Sequence, residues 1–306
     1  MKRNLSLTML ILCASLPIKA AGLLFVPLSK IRVNLPPTPE SPNYWPYIWL
    51  GLTLFILYKI IRHRDKIVGL YKLMFHVYRL TPNNPLTTDQ QRKILLSAIY
   101  SQQQCSKLDS LNTKLSTAYR TGMLEGGWGI TDRASAIETL NFLKDEGHRY
   151  YFPYVVKALQ QPTQEALNNY IKDIIQNEDR AERAVEFIQN VFYSLDELKK
   201  WKVINSVDDF INIGVDAWDS GRLSFIVRLC YEAKLISEEE TWQYLDAADD
   251  IAHNTLSSWN DYSTSYILGR AMWNKTSADG SKFMFEVGQH LLTKKTSPWL
   301  KIPFAK

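Results

Sequence analysis

Residues 126–152 read GGWGITDRASAIETLNFLKDEGHRYYF. Two glycines and Trp128 open the stretch, and a segment with helical periodicity follows. Thr131 begins it with a plausible cap, and Ile137, Leu140 and Leu143, with Phe142, form its apolar stripe. Gly147 ends it, as glycine does one residue past a helix C-terminus. This reading predicts an α-helix over about 131–144, and the rest of the chain follows the same pattern. Long β-branched runs with period two are scarce, so the fold class expected is all-α.

Later segments agree. Thr163–Tyr193 reads as one long helix, with Ala166, Tyr170, Ile174, Val185, Ile188 and Phe192 near a 3.6-residue spacing. Asp208–Ile236 reads as another, with Gly221 as its weak point. In "SEEE", residues 237–240, Ser237 is an N-cap and Glu240 sits at N3, a capping box. Trp242, Leu245, Ala248, Ala252 and Leu256 form the buried stripe behind it. The segment after Asn274 reads as rich in loops. There is no internal repeat and no sustained heptad.

The N-terminal part differs in composition. "YWPYIWLGLTLFILYKII", residues 44–61, holds one charge, Lys59, and has aromatic residues crowded at one end. Eighteen residues of helix span roughly 27 Å, close to a ~30 Å hydrocarbon core. "RHRDK" follows directly, which by the positive-inside rule marks the cytoplasmic end. Residues 1–28 read either as a signal peptide or as a first membrane helix over about 5–28. The second option makes 1–61 a helical hairpin anchor turned by "NLPPTPESPN". Residues 62–80 are basic and aromatic, suited to an anionic membrane surface. "TPNNP", 81–85, marks the boundary of a helical cytoplasmic domain over 81–306. The expected location is a bacterial inner membrane, with lipid as one partner and an unidentified protein as another.

Charge narrows the partners. The chain carries +5 overall. In residues 1–80, eleven basic residues stand against Glu40 and Asp65, an excess of nine, so residues 81–306 carry −4. A nucleic-acid-binding domain needs its basic patch on the binding domain, so no nucleic acid is expected. The cysteines, Cys13, Cys105 and Cys230, have no paired spacing, which fits a reducing compartment.

Several constellations bear on chemistry. Asp132 and Arg133 follow Trp128, and an acid in the first turn meets the helix dipole. His148 and Arg149 follow Gly147, where a cation can bond the last carbonyls of the helix. In "DAWDSGR", 216–222, Asp219 and Arg222 stand at i,i+3 and suit an ion pair. In "YLDAADDIAHNTL", 244–256, Asp246, Asp250 and His253 share one helix face. A solvated face accounts for them, so neither a metal nor a cofactor is expected. "SSWNDYSTSYILGRAMW", 257–273, interleaves Trp259, Tyr262, Tyr266 and Trp273 with Arg270. Walker, dinucleotide, zinc-protease and nucleophile-elbow motifs are missing from the sequence.

Trp128-Gly129-Ile130 with Asp132-Arg133, Gly147-His148-Arg149, Ala217-Trp218-Asp219 with Arg222, "ISEEETW", Ser258-Trp259 and Gly269-Arg270 with Trp273 occur in this order. Together they resemble the bacterial domain-of-unknown-function family numbered 1266, over about residues 111–275. The resemblance implies a bacterial cytoplasmic helical domain and no particular reaction. It also points to a chaperone-linked role, since relatives are encoded beside J-domain cochaperones. The expected function is a membrane-tethered interaction or regulatory module. The alternative is a hydrolase. The candidate groove for either comprises Trp128, Asp132, Arg133, His148, Arg149, Asp219, Arg222, Trp259 and Arg270.

Overall fold

A computed structural model describes residues 43–62, 77–274 and 278–306. The chain divides into two units, Met1–Leu57 and Tyr58–Lys306. The expected first membrane helix over 5–28 and most of the basic segment 62–80 lie outside the described residues.

Helix α1, Trp45–Arg62, forms where the apolar run predicts it. Its large side chains Trp45, Tyr47, Trp49, Leu50, Leu54 and Phe55 are exposed. Yet no described helix is long and apolar enough to cross a membrane, which corrects the expectation of a spanning helix. The physical reason lies at both ends. Trp45, Pro46 and Tyr47 open α1, and Lys59 and Arg62 close it. The charge-free part, Trp45–Tyr58, reaches only about 21 Å as helix, against a core of roughly 30 Å.

The second unit is all-helical among the described residues, apart from one isolated bridge between Arg79 and Lys107. Its helices are α2 (Thr88–Leu95), α3 (Ala98–Gln103), α4 (Thr117–Gly122), α5 (Arg133–Asp145), α6 (Phe152–Leu159) and α7 (Gln164–Asn177). They continue as α8 (Ala181–Lys200), α9 (Val207–Ile213), α10 (Asp216–Glu232), α11 (Glu238–Thr255), α12 (Trp259–Trp273) and α13 (Ala278–Thr293). Short polar caps start many of them. Thr87, Asp132, Ser206 and Ser237 each close a capping box, so the predicted Ser237–Glu240 box is present. Each box satisfies backbone N–H groups that the first turn leaves open.

α10 is the central helix, with every residue from Ala217 to Cys230 buried. It packs on α11 and α12 most extensively, and also on α2, α3 and α5. Its buried polar residues bond to neighbouring segments, although Nε of Arg228 has no partner among the described residues. Ser220 donates to the carbonyl of Ala248 at 2.8 Å, and Ser224 to that of Lys93 at 3.0 Å. Arg228 donates to Ser97 and Ser101, both at 2.9 Å, and to the carbonyl of Lys107 at 2.6 Å. A buried polar group without such partners costs about 1–3 kcal/mol.

Two expected helices and one expected loop region change. The 163–193 segment is two helices, α7 and α8, separated at Glu178, whose extended backbone ends α7. The face of α8 also shifts, with Ala184, Phe187 and Val191 buried and Phe192 exposed. The 208–236 segment breaks at Gly214, with φ of 71°, and not at Gly221. The region after Asn274 holds α13 and a 3-10 turn, Pro298–Leu300, whose Trp299 is buried. Trp299 stacks on Trp259 at 4.6 Å and donates to the carbonyl of Leu95 at 3.1 Å.

Candidate functional site: a cavity walled by tryptophan and arginine

Three features bring the signature residues together. After α4 the chain widens into a π-helical turn, Met123–Gly127. Gly129, with φ of 67°, then turns the backbone so that Ile130 is buried and Trp128 is left half-buried beside it. Such π turns are rare and concentrate at functional sites.

The second feature is the end of α5. The N–H of Gly147 bonds the carbonyl of Phe142 at 2.7 Å, with φ of 62° at Gly147. A Cβ on Gly147 would lie 2.3 Å from Oδ2 of Asp219, so only glycine fits. This brings His148 and Arg149 against α10. The backbone N–H of Arg149 donates to Oδ2 of Asp219 at 2.8 Å. The Arg149 guanidinium bonds the carbonyls of Leu143 and Lys144, capping α5 as its position predicts.

The third is the contact of α12 with α10. A Cβ on Gly269 would lie 2.3 Å from Cβ of Trp218, so the two backbones meet at a distance no side chain allows. Arg270 and Trp273 are thereby set beside Trp218.

Between these elements lies a cavity of about 840 Å³. That volume falls in the range of about 300–1,000 Å³ usual for small-molecule sites. Its aromatic walls are Tyr100, Trp128, Phe142, Trp218, Tyr266 and Trp273. Its polar ones include Gln103, Glu138, His148, Arg222 and Arg270.

The two arginines of the wall differ. Arg222 is ion-paired with the fully buried Asp219 one turn away, and its guanidinium lies 4.8 Å from the ring of Trp218 and 5.6 Å from that of Trp128. Burial pushes the Asp219 carboxyl up, but the Arg222 charge and the backbone N–H of Arg149 outweigh it and hold it below the usual range. Arg270, 8% exposed, lies 4.7 Å over Trp273 and 6.0 Å from the ring of Trp218. Its Nε and Nη1 have no hydrogen-bond partner among the described residues. Burial holds its pKa below the arginine range.

His148 is fixed as well. The indole N–H of Trp218 donates to its Nδ1 at 3.2 Å. Burial and then the Arg222 charge push its pKa down to about 3, so the ring is neutral at physiological pH. Nearby, the Tyr266 hydroxyl and Oε1 of Gln103 are also buried without partners among the described residues.

The structure therefore joins Trp128, His148, Arg222 and Arg270 around one cavity, with Asp219 and Arg149 behind its wall. It does not bring the other candidates there. Asp132 is the N-cap of α5, bonded to Ser135, whose backbone and hydroxyl bonds hold its pKa down. Arg133 is exposed and pairs with Glu240 at 2.6 Å. Trp259 belongs to a separate cluster with Trp299 and Phe304. Asp246 and Asp250 pair with Lys93 and Lys306, while His253 is hydrogen-bonded to backbone oxygens of Asp249 and Phe304. Tyr100, Phe142 and Gln103 line the cavity without standing out in the sequence. Trp218 and Trp273 were legible only as packing residues.

No solved structure matches the chain. A relative of similar sequence is Uncharacterized protein YbeU of Escherichia coli (strain K12), 22% identical over 173 residues. The match covers 56% of this chain and 66% of that protein, just under two thirds of the relative's length. A family model, described as Protein of unknown function (DUF1266), matches residues 123–304. That span begins later than the resemblance drawn from motifs and continues through α13 and the final turn. Since it covers more than half of the chain, this protein belongs to that family.

Proposed function

We propose that the helical unit is a regulatory binding module whose working site is the tryptophan–arginine cavity. One observation carries the reading. Buried polar atoms without partners are rare in folded proteins. Among the described residues such atoms occur on Tyr78, Gln103, Arg228, Tyr266 and Arg270, and those of Gln103, Tyr266 and Arg270 belong to residues of one cavity wall. A ligand that completes these bonds gives the arrangement its purpose, and the exposed Phe142 and Trp273 beside it offer a route for occupancy to alter contacts with a partner protein. The hydrolase alternative fares worse. Of the two signature carboxylates it needs in one cleft, Asp132 is the N-cap of α5 away from the cavity, and Asp219 is fully buried and paired with Arg222.

The proposal extends to a location at the inner face of a bacterial inner membrane, with α1 as the segment that meets it. The exposed aromatic and apolar side chains of α1 support this. Flotation of the full chain with anionic liposomes, lost on deletion of residues 1–61, is the expected result.

The binding reading is tested by melting the full chain, in non-ionic detergent, against a library of small organic compounds. Ligands present at about 100 times Kd stabilise by about 2.7 kcal/mol, several degrees of melting temperature. Thr139→Trp, on the α5 wall of the cavity, adds bulk to the space while leaving both arginines in the sequence. Compounds should stabilise the wild type and not the variant. Equal stabilisation of both removes the cavity as the working site.

A further inference from the structure

Resting on that reading, we propose the ligand's chemical class: an aromatic monocarboxylate, with its carboxylate beside Arg270 and its flat apolar body against the indole walls of Trp128, Trp218 and Trp273.

Charge comes first. Three cationic or potentially cationic side chains belong to the cavity wall, namely His148, Arg222 and Arg270. His148 is neutral, and Arg222 is paired with Asp219, whose carboxylate also meets the Arg149 guanidinium at 3.5 Å. Glu138 also borders the cavity but is exposed on α5. Arg270 keeps a full charge in a buried position, and among the described residues no carboxylate pairs with it. A charge taken out of water without a counter-ion is costly, and the indole of Trp273, 4.7 Å from the guanidinium, offsets only part of that cost. A ligand carboxylate supplies the counter-ion that Arg270 lacks.

Donor chemistry agrees. A carboxylate presents two acceptor oxygens and no donor. Arg270 supplies N–H groups, and the buried Tyr266 hydroxyl, also without a partner, supplies an O–H on the same wall. Oε1 of Gln103, an acceptor, stays available for a hydrogen-bond donor on the ligand.

Shape completes the assignment. The cavity holds about 840 Å³, far more than acetate or phosphate fills. The remaining wall is flat and aromatic, and rings pack on rings at offset or edge-on geometry.

The test is isothermal titration of the full chain in non-ionic detergent with four probes: naphthalene carboxylate, its neutral carboxamide, acetate and inorganic phosphate. The expected result is naphthalene carboxylate bound at least about tenfold more tightly than the carboxamide, from a charge-assisted hydrogen bond lost in the amide. In Arg270→Gln, checked for folding by its melting curve, the acid-over-amide ratio should fall to near one while the amide still binds. An arginine with a merely structural role would weaken both probes and leave the ratio intact. Thr139→Trp should weaken both. Equal binding of acid and amide by the wild type, or a ratio that survives Arg270→Gln, overturns the anion assignment. If both probes are then still blocked by Thr139→Trp, the cavity stands as a binding site for neutral ligands. Tighter binding of phosphate than of naphthalene carboxylate reassigns the site to phosphate. Failure of both naphthalene probes to bind overturns the assignment to aromatic carboxylates, while the compound library decides the broader reading on its own.

Discussion

The indole N–H of Trp218 and Nδ1 of His148 are hydrogen-bonded at 3.2 Å, which makes Nδ1 an acceptor and leaves the ring proton on Nε2. Protonating His148 breaks that bond and places a second positive charge beside Arg222.

Acid sensitivity follows from this pair. The folded pKa of His148 is about 3, below its ordinary value of 6.5. Between those values the unfolded chain binds a proton that the folded chain excludes, so stability rises with pH in this window and is lost as pH falls through it. Asp219, whose folded pKa is also lowered, adds a further loss where its carboxylate is protonated, below about pH 4. His148→Gln keeps an acceptor for Trp218 without the titration. Melting temperature followed from pH 7 to pH 4 should fall less steeply in this variant, and identical slopes would exclude His148 as a source of the acid loss.

Asp219→Ala should be among the most damaging substitutions. It leaves Arg222 buried and unpaired, and it removes the acceptor of the Arg149 backbone N–H. Breaking a buried pair costs about 3–5 kcal/mol, or about 6–20 °C of melting temperature at this size. Calorimetry of the full chain measures it, and a fall under about 2 °C contradicts the wall as described.

Arg270→Met should have the opposite sign. It removes a buried charge with no counter-ion and retains an apolar stem of similar length. The several kcal/mol of desolvation exceed the roughly 2 kcal/mol returned by the indoles. A net gain of about 1–2 kcal/mol raises melting by about 2–8 °C without ligand. Binding residues commonly carry such a cost in stability. Destabilisation by this variant would mean that Arg270 is a structural cation.

The contrast between these residues shows how far sequence reading reaches. Ser237 and Glu240 are three residues apart and satisfy each other, so their box is visible in the sequence. Helix α7 ends within Asn177-Glu178-Asp179, with neither glycine nor proline to announce it. α10 offers no apolar face to read, because it is buried all round and its polar residues are satisfied from afar. Arg228 is held by Ser97 and Ser101, on the far side of more than a hundred residues. The cavity behaves in the same way. Trp128, His148, Arg222 and Arg270 are recognisable as a set, but only folding shows that Asp219 satisfies Arg222 and nothing described satisfies Arg270. Asp132, Arg133 and Trp259 looked equivalent to them in sequence and serve as a cap, a surface pair and a clamp on the final turn.

That clamp has a kinetic consequence. The Trp299 indole reaches the carbonyl of Leu95 across 204 residues, and Arg92 meets Asp249 across 157. Helical proteins usually fold fast because their contacts are local. Here the first helices of the unit also meet its last turn, so closing that loop joins distant parts of the chain. The seal between Trp299 and Leu95 should therefore form late in folding, after the locally connected helices have packed.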